Sequence, residues 1–341
     1  AHMIPRMTVW IRRLRWVTPC LLALAAAPSA AAPLHEARPL MGTLVEVSVE
    51  PPAGGEAHAH AAIDAAYREM ARLSDMMNHY DPNSVVSAIN DAAGLRAVPA
   101  PPELMAVLAM AQAMSAKSDG AFDITVASLR GWRFRADDPR VPSAAEIAAQ
   151  LPRVNWRNLR IDAQARTAFL ARQGMRIDLG GIAKLAIVHA GMRVLVRHGI
   201  VRALLNGGGD VEVIGGSRER PWRVGVRDPR APARLLGVLQ IERGFVVSSG
   251  DYERALVRDG RRYHHILDPR TGYPASGPHG VTLSGERLED LNGLGVAIMV
   301  RGKADGARWL AQNPRIDGLI VDADDSVWMT AGFRARFRAT P

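Results

Sequence analysis

From residue 203 to residue 283, strand-like runs follow one another with turns between them, and this succession limits the folds open to the chain. Residues 203–206 and 211–214 flank the turn Gly207-Gly208-Gly209-Asp210, and strands are expected at 222–226, at 235–241 and from Phe245 onward. Asp259-Gly260 divides two further runs, and a two-residue Asp-Gly loop is a strong hairpin signal. Helical periods are grouped elsewhere. Residues 56–79 place Ile63, Ala66, Tyr67, Met70, Leu73 and Met77 on one face. Residues 102–118 close at Gly120, and 182–198 end at Gly199. Ser143 and Glu146 form a capping box for a helix to Leu151. Asp81 and Pro82 open a short helix reaching Asn90, and helices are expected at 290–300 and 303–312. Further strands read at 41–50, where Val45, Val47 and Val49 alternate with Glu46, Ser48 and Glu50, and at 159–170, 175–179 and 281–283. Residues 319–321 and 327–330 finish as a hairpin. Strands in runs with helices grouped between them indicate an α+β fold, mainly antiparallel, rather than a βαβ alternation. No Pro/Gly/Ser-rich linker divides the chain, so one domain is expected from about Leu34 onward.

The first 32 residues are set apart. Ala1-His2-Met3 reads as a cloning remnant. Arg6, Arg12, Arg13 and Arg15 then precede an apolar run at 16–27 and the small residues Ser29, Ala30, Ala31 and Ala32. That is the pattern of a secretory signal; left uncleaved it would serve as an anchor, and Arg12-Arg13 hints at twin-arginine export. The single cysteine, Cys20, lies in this leader. A mature chain without a thiol excludes disulfides, zinc-thiolate sites and cysteine nucleophiles. The formal charge is +9, but four of those charges belong to the leader, no lysine block occurs and aromatics are 5%. Nucleic acid is therefore not an expected partner.

Several stretches can carry chemistry. Folding the Asp259-Gly260 hairpin brings Ser248-Ser249-Gly250-Asp251 back toward His264, His265 and Asp268, a grouping suited to proton transfer or phosphate chemistry. Asp178-Leu179-Gly180-Gly181-Ile182-Ala183-Lys184 runs from a strand into a helix N-terminus, where free N–H groups favour anions. Lys184 is there either a phosphate ligand or a plain surface lysine. Gly207-Gly208-Gly209-Asp210 lets backbone N–H groups approach a phosphate or a flat ring. Asp123 follows an aromatic after Gly120. Asp290 opens a late helix, either as an N-terminal charge or as a ligand for a hard cation such as Mg²⁺.

In order, Met41-Gly42-Thr43, the stretch from Leu73 through Tyr80 to Asn90, GAFDITVASL from Gly120, IDLGGIAK from Ile177, LLNGGGDVEVIG from Leu204, WRVGVRDP from Trp222, SSGDYER from Ser248 and HHILDPRTGYPA from His264 resemble the ApbE family of FAD:protein FMN transferases. The resemblance covers nearly the whole mature chain. It implies a periplasmic enzyme, or one held at the inner membrane by an uncleaved leader. Such an enzyme cleaves FAD between its phosphates with Mg²⁺ and joins FMN to a threonine of a partner protein, a subunit of a membrane redox complex, releasing AMP. Carried over by motif, the FAD contacts are Met41, Tyr80, Ala121, Phe122, Asp123, Asp178, Lys184 and Ile266. The metal positions are Gly181, through its carbonyl, and Asp290, which also counts among the catalytic residues. His265 is the implied proton acceptor at the threonine hydroxyl. The sequence departs from the family pattern at three places. Leu185 and Ala186 replace a glycine and an aromatic, and His189 replaces an aspartate. Leu294 stands where a threonine usually follows the metal aspartate by four residues. That last departure leaves two alternatives, an accessory protein that holds FAD without processing it and a hydrolase that splits FAD into FMN and AMP.

Overall fold

The computed structural model describes residues 33–52 and 55–340; the leader and its cleavage site lie outside the described residues. Eight strands form the central sheet, and their order across it is their order along the chain: Leu34–Leu40, Thr43–Val49, Ala203–Gly207, Val211–Ile214, Gly244–Gly250, Gly280–Gly285, Ile316–Val321 and Val327–Met329. Each neighbouring pair is antiparallel. Smaller sheets join Trp222–Arg227 and Leu235–Ile241 with Phe337–Ala339, and Val98–Pro99 and Leu159–Asp162 with Thr167–Leu170. The fold is α+β with mainly antiparallel sheets.

Alternation along the central strands feeds two cores. Leu205, Phe245, Val247, Val281, Leu283 and Ile320 enter the larger one, beneath the helices. Their sequence neighbours Leu204, Val246, Leu319 and Val321 join Trp222, Leu239 and Phe333 in a smaller core. Successive side chains of a strand point to opposite faces, so the sheet is buried on both sides. Helix Gly55–Met77 lies along helix Ala183–Arg197. The approach is close: a Cβ on Gly191 would stand 2.7 Å from the sulfur of Met70. Among the described residues no helix is long and apolar enough to cross a membrane.

Three local expectations need correction. Residues 175–179 form no strand; Asn90 ties down their backbone, its Nδ2 donating to the Ile177 carbonyl at 3.1 Å and its Oδ1 accepting from the Ile177 N–H at 2.7 Å. The short helix before Asn90 starts at Val85 and is capped by Ser84 rather than Asp81. The helix expected at 290–300 is two helices, Leu288–Leu291 and Leu294–Arg301, broken at Gly293 with φ +86°. A left-handed residue cannot continue a right-handed helix, and glycine takes that conformation without a Cβ clash.

Candidate active site

The N-terminus of helix Ala183–Arg197, the end of strand Gly244–Gly250 and the Gly293 break meet around an open cleft of ≈ 560 Å³. Gly181, Lys184, Ser249, His265, Asn292 and Val296 are among the residues that line it. Ile182, the residue before the helix, makes no side-chain cap, which leaves the first-turn N–H groups for another partner. Gly180 does not add to them, because its N–H turns back onto Asp178 Oδ1 at 2.8 Å. Lys184 lies in that first turn, half-buried, with no carboxylate among the described residues within ion-pairing distance. One wall therefore carries an ammonium and the positive end of a helix dipole, the arrangement that binds phosphate.

The same cleft carries bases. The backbone carbonyl of Arg254 can only accept, so its 3.3 Å contact with His265 Nδ1 puts the ring proton on that nitrogen and leaves Nε2 as an acceptor. Burial, then the charge of Arg254, lowers the imidazole to about 3, so the ring is neutral at physiological pH. Asp210, at the end of the glycine turn, also lines the cleft. Burial pushes its carboxyl up to about 6, against the pull of Lys184. Glu253 is raised as well, again by burial. The glycine turn thus contributes a carboxylate in addition to backbone donors, a role its sequence did not reveal.

The expected FAD contacts fall into three groups. Lys184 and Ile266 line the cleft. Asp178 stands two residues before Gly180 and pairs with His79 Nδ1 at 3.1 Å; burial alone would raise this carboxyl, but the histidine holds it low. Tyr80, 75% exposed, is in ring contact with His79 at 3.9 Å between centroids, and Met41 lies beside Gly207 of the glycine turn. Ala121, Phe122 and Asp123 are buried behind the cleft. Phe122 packs against Gly181 and Gly293. Asp123 accepts from the Thr125 N–H and hydroxyl at 2.8 and 2.6 Å and from the Trp156 N–H at 3.0 Å. Its carboxyl is committed to holding that loop.

Asp290 does not join Gly181. Its carboxylate meets Arg315 Nε at 3.1 Å and Arg287 Nε at 3.8 Å. Asp290 is not among the residues that line the cleft, although its neighbour Leu291 is. Leu294, four residues on, is 2% exposed in the larger core. From this segment Leu291, Asn292, Gly293, Gly295 and Val296 line the cleft; Asn292 and Val296 are the aspartate- and threonine-sized side chains among them, and a Cβ on Gly181 would stand 3.7 Å from Val296. Mg²⁺ favours charged oxygen ligands; a neutral amide and an isopropyl group do not supply them. The implied metal pair, Gly181 with Asp290, does not fit this structure. Among the described residues no cluster of three or more His, Cys, Asp or Glu is arranged to hold an ion.

The sequence matches the profile of the ApbE family over residues 41–320. The chain belongs to the ApbE family. It is 31% identical over 318 residues to the FAD:protein FMN transferase of Treponema pallidum, covering 88% of this chain and 87% of that protein. To a Klebsiella pneumoniae FAD:protein FMN transferase it is 32% identical over 283 residues, with 82% and 88% covered. The crystal structure of the ApbE protein from Thermotoga maritima superposes with a TM-score of 0.79 at 31% identity, over 90% of this chain and 99% of that one. The flavin transferase ApbE from Vibrio cholerae gives 0.78 at 25% identity, over 90% and 100%. Of the departures from the ApbE pattern, His189 is met by Glu212, 3.0 Å from its Nδ1, and Leu185 is a buried wall of the cleft.

Proposed function

We propose that this chain transfers FMN from FAD to a hydroxyl of a partner protein. The observation that carries the reading is one cleft shared by Lys184, the open helix N-terminus and the neutral His265. Lys184 and the first-turn amides hold the diphosphate and orient the phosphorus on the FMN side. The acceptor hydroxyl, a threonine in our reading, attacks that phosphorus. Its proton passes to His265 Nε2 as the new P–O bond forms, and the bond to the adenylate phosphate breaks to release AMP. Asp210, in the same cleft and held at about 6, is the stronger base to which that proton can move on. No step runs through Mg²⁺, because the Asp290 carboxylate is turned to Arg315 and Arg287 and does not line the cleft.

The leader pattern supports export, so we place the enzyme in the periplasm, with a subunit of a membrane redox complex as acceptor. Incubating the mature protein with FAD and candidate acceptors should give a covalently fluorescent acceptor band. No band across several acceptors would refute transfer. AMP without a labelled acceptor would indicate FAD hydrolysis, and FAD recovered intact would indicate a flavin-holding accessory protein.

A further inference from the structure

Asn292 is 3% exposed, and its amide Nδ2 donates to the Ile182 carbonyl at 2.8 Å. That bond joins the Gly293 break to the residue just before helix Ala183–Arg197, two of the three elements that frame the cleft. The same Nδ2 lies 3.3 Å from the sulfur of Met110. The nitrogen is thereby directed at protein acceptors, which fixes the amide's orientation. A carboxylate in the same place would put an anionic oxygen about 2.8 Å from a carbonyl oxygen, a contact made favourable only by a cation or proton between them. Four residues on, across the Gly293 break, Val296 also lines the cleft, a threonine-shaped side chain without an oxygen. The cleft-facing pair is thus shaped like an aspartate and a threonine but lacks the charge and the hydroxyl that a divalent cation requires.

We propose that the Asn292 amide takes the place of a protein-bound cation, so that this chain assembles its cleft and binds FAD without a divalent ion. The inference rests on the FAD reading given above. Lys184 and the first-turn amides then supply the positive charge facing the diphosphate. A cation that arrives with the nucleotide finds no charged ligand at Asn292 or Val296.

The test measures FAD binding to the mature protein by flavin fluorescence titration, once in EDTA and once in excess MgCl2. The two dissociation constants are expected to agree within about threefold; a loss of about tenfold or more in EDTA overturns the proposal. Absence of FAD binding in both conditions would instead refute the FAD reading itself, so the two failures are distinguishable. A second arm follows thermal unfolding of Asn292→Asp, alone and with Val296→Thr. Each variant is expected to melt below the natural protein in EDTA and to recover on adding Mg²⁺ or Mn²⁺, whereas the natural protein does not respond. A folded variant without cation response would overturn the proposal. Should the variants not fold, the titration of the natural protein decides alone.

Discussion

Replacing His265 by glutamine tests whether the cleft imidazole is held neutral. In the folded chain the ring titrates near 3, against 6.5 for the free side chain. As pH falls below 6.5 the unfolded state takes up a proton that the native state refuses. The stability tied to this ring is therefore whole above pH 6.5 and is lost progressively as pH falls toward 3. At about pH 4.5 the gap is roughly two pH units, or about 2.7 kcal/mol at about 1.36 kcal/mol per unit. The ring is only half-buried, and solvent screening reduces this to about 1–1.5 kcal/mol. Glutamine keeps an N–H for the Arg254 carbonyl and cannot titrate. Urea unfolding of both proteins near neutral pH and near pH 4.5 gives a double difference in which other groups cancel. The natural protein should lose about 1–1.5 kcal/mol more than His265→Gln. Equal losses would mean that the ring protonates normally in the folded state, and the neutral Nε2 acceptor would have to be abandoned.

Lys184→Ala should weaken FAD binding by about ten- to a hundredfold in a fluorescence titration, with Lys184→Arg retaining most of it; an unchanged affinity would remove the lysine from the phosphate wall. Asp290→Ala should leave FAD affinity within about twofold and change stability by no more than about 1 kcal/mol, because its partner Arg315 is 61% exposed. Asn90→Ala strips a buried N–H and carbonyl of their partners at Ile177. It should cost about 2–4 kcal/mol in urea unfolding, and a loss below about 0.5 would show the loop relaxing to satisfy them otherwise.

Much of this was legible because it is local. The Ser143–Glu146 capping box, the Asp259-Gly260 hairpin and the strand of Val45, Val47 and Val49 occur as their spacing predicts. Lys184 and His265 meet because each sits at the end of an element whose boundary could be read. Asp290 failed for a reason that periodicity cannot carry. The pattern over residues 290–300 suits one continuous helix, and the break at Gly293 is a property of one backbone angle. Two residues turn a helical side chain by about 200°, so which of Asp290 and Asn292 faces the cleft depends on where the chain kinks. Asp210 was hidden differently. Its turn was read for its glycines, and the depth of its carboxylate comes from strand pairing distant in sequence.

The smaller core draws Leu204, Val246 and Leu319 from strands spread along the chain and is closed by Phe333, which is fully buried, with Phe337 packed against it. During synthesis that layer stays unsealed at one end until Phe333 and Phe337 are free to dock beside Trp222 and Leu239. A chain shortened before Phe333 would open the smaller core to water and should be degraded or aggregate, although every residue lining the candidate cleft would already have been made.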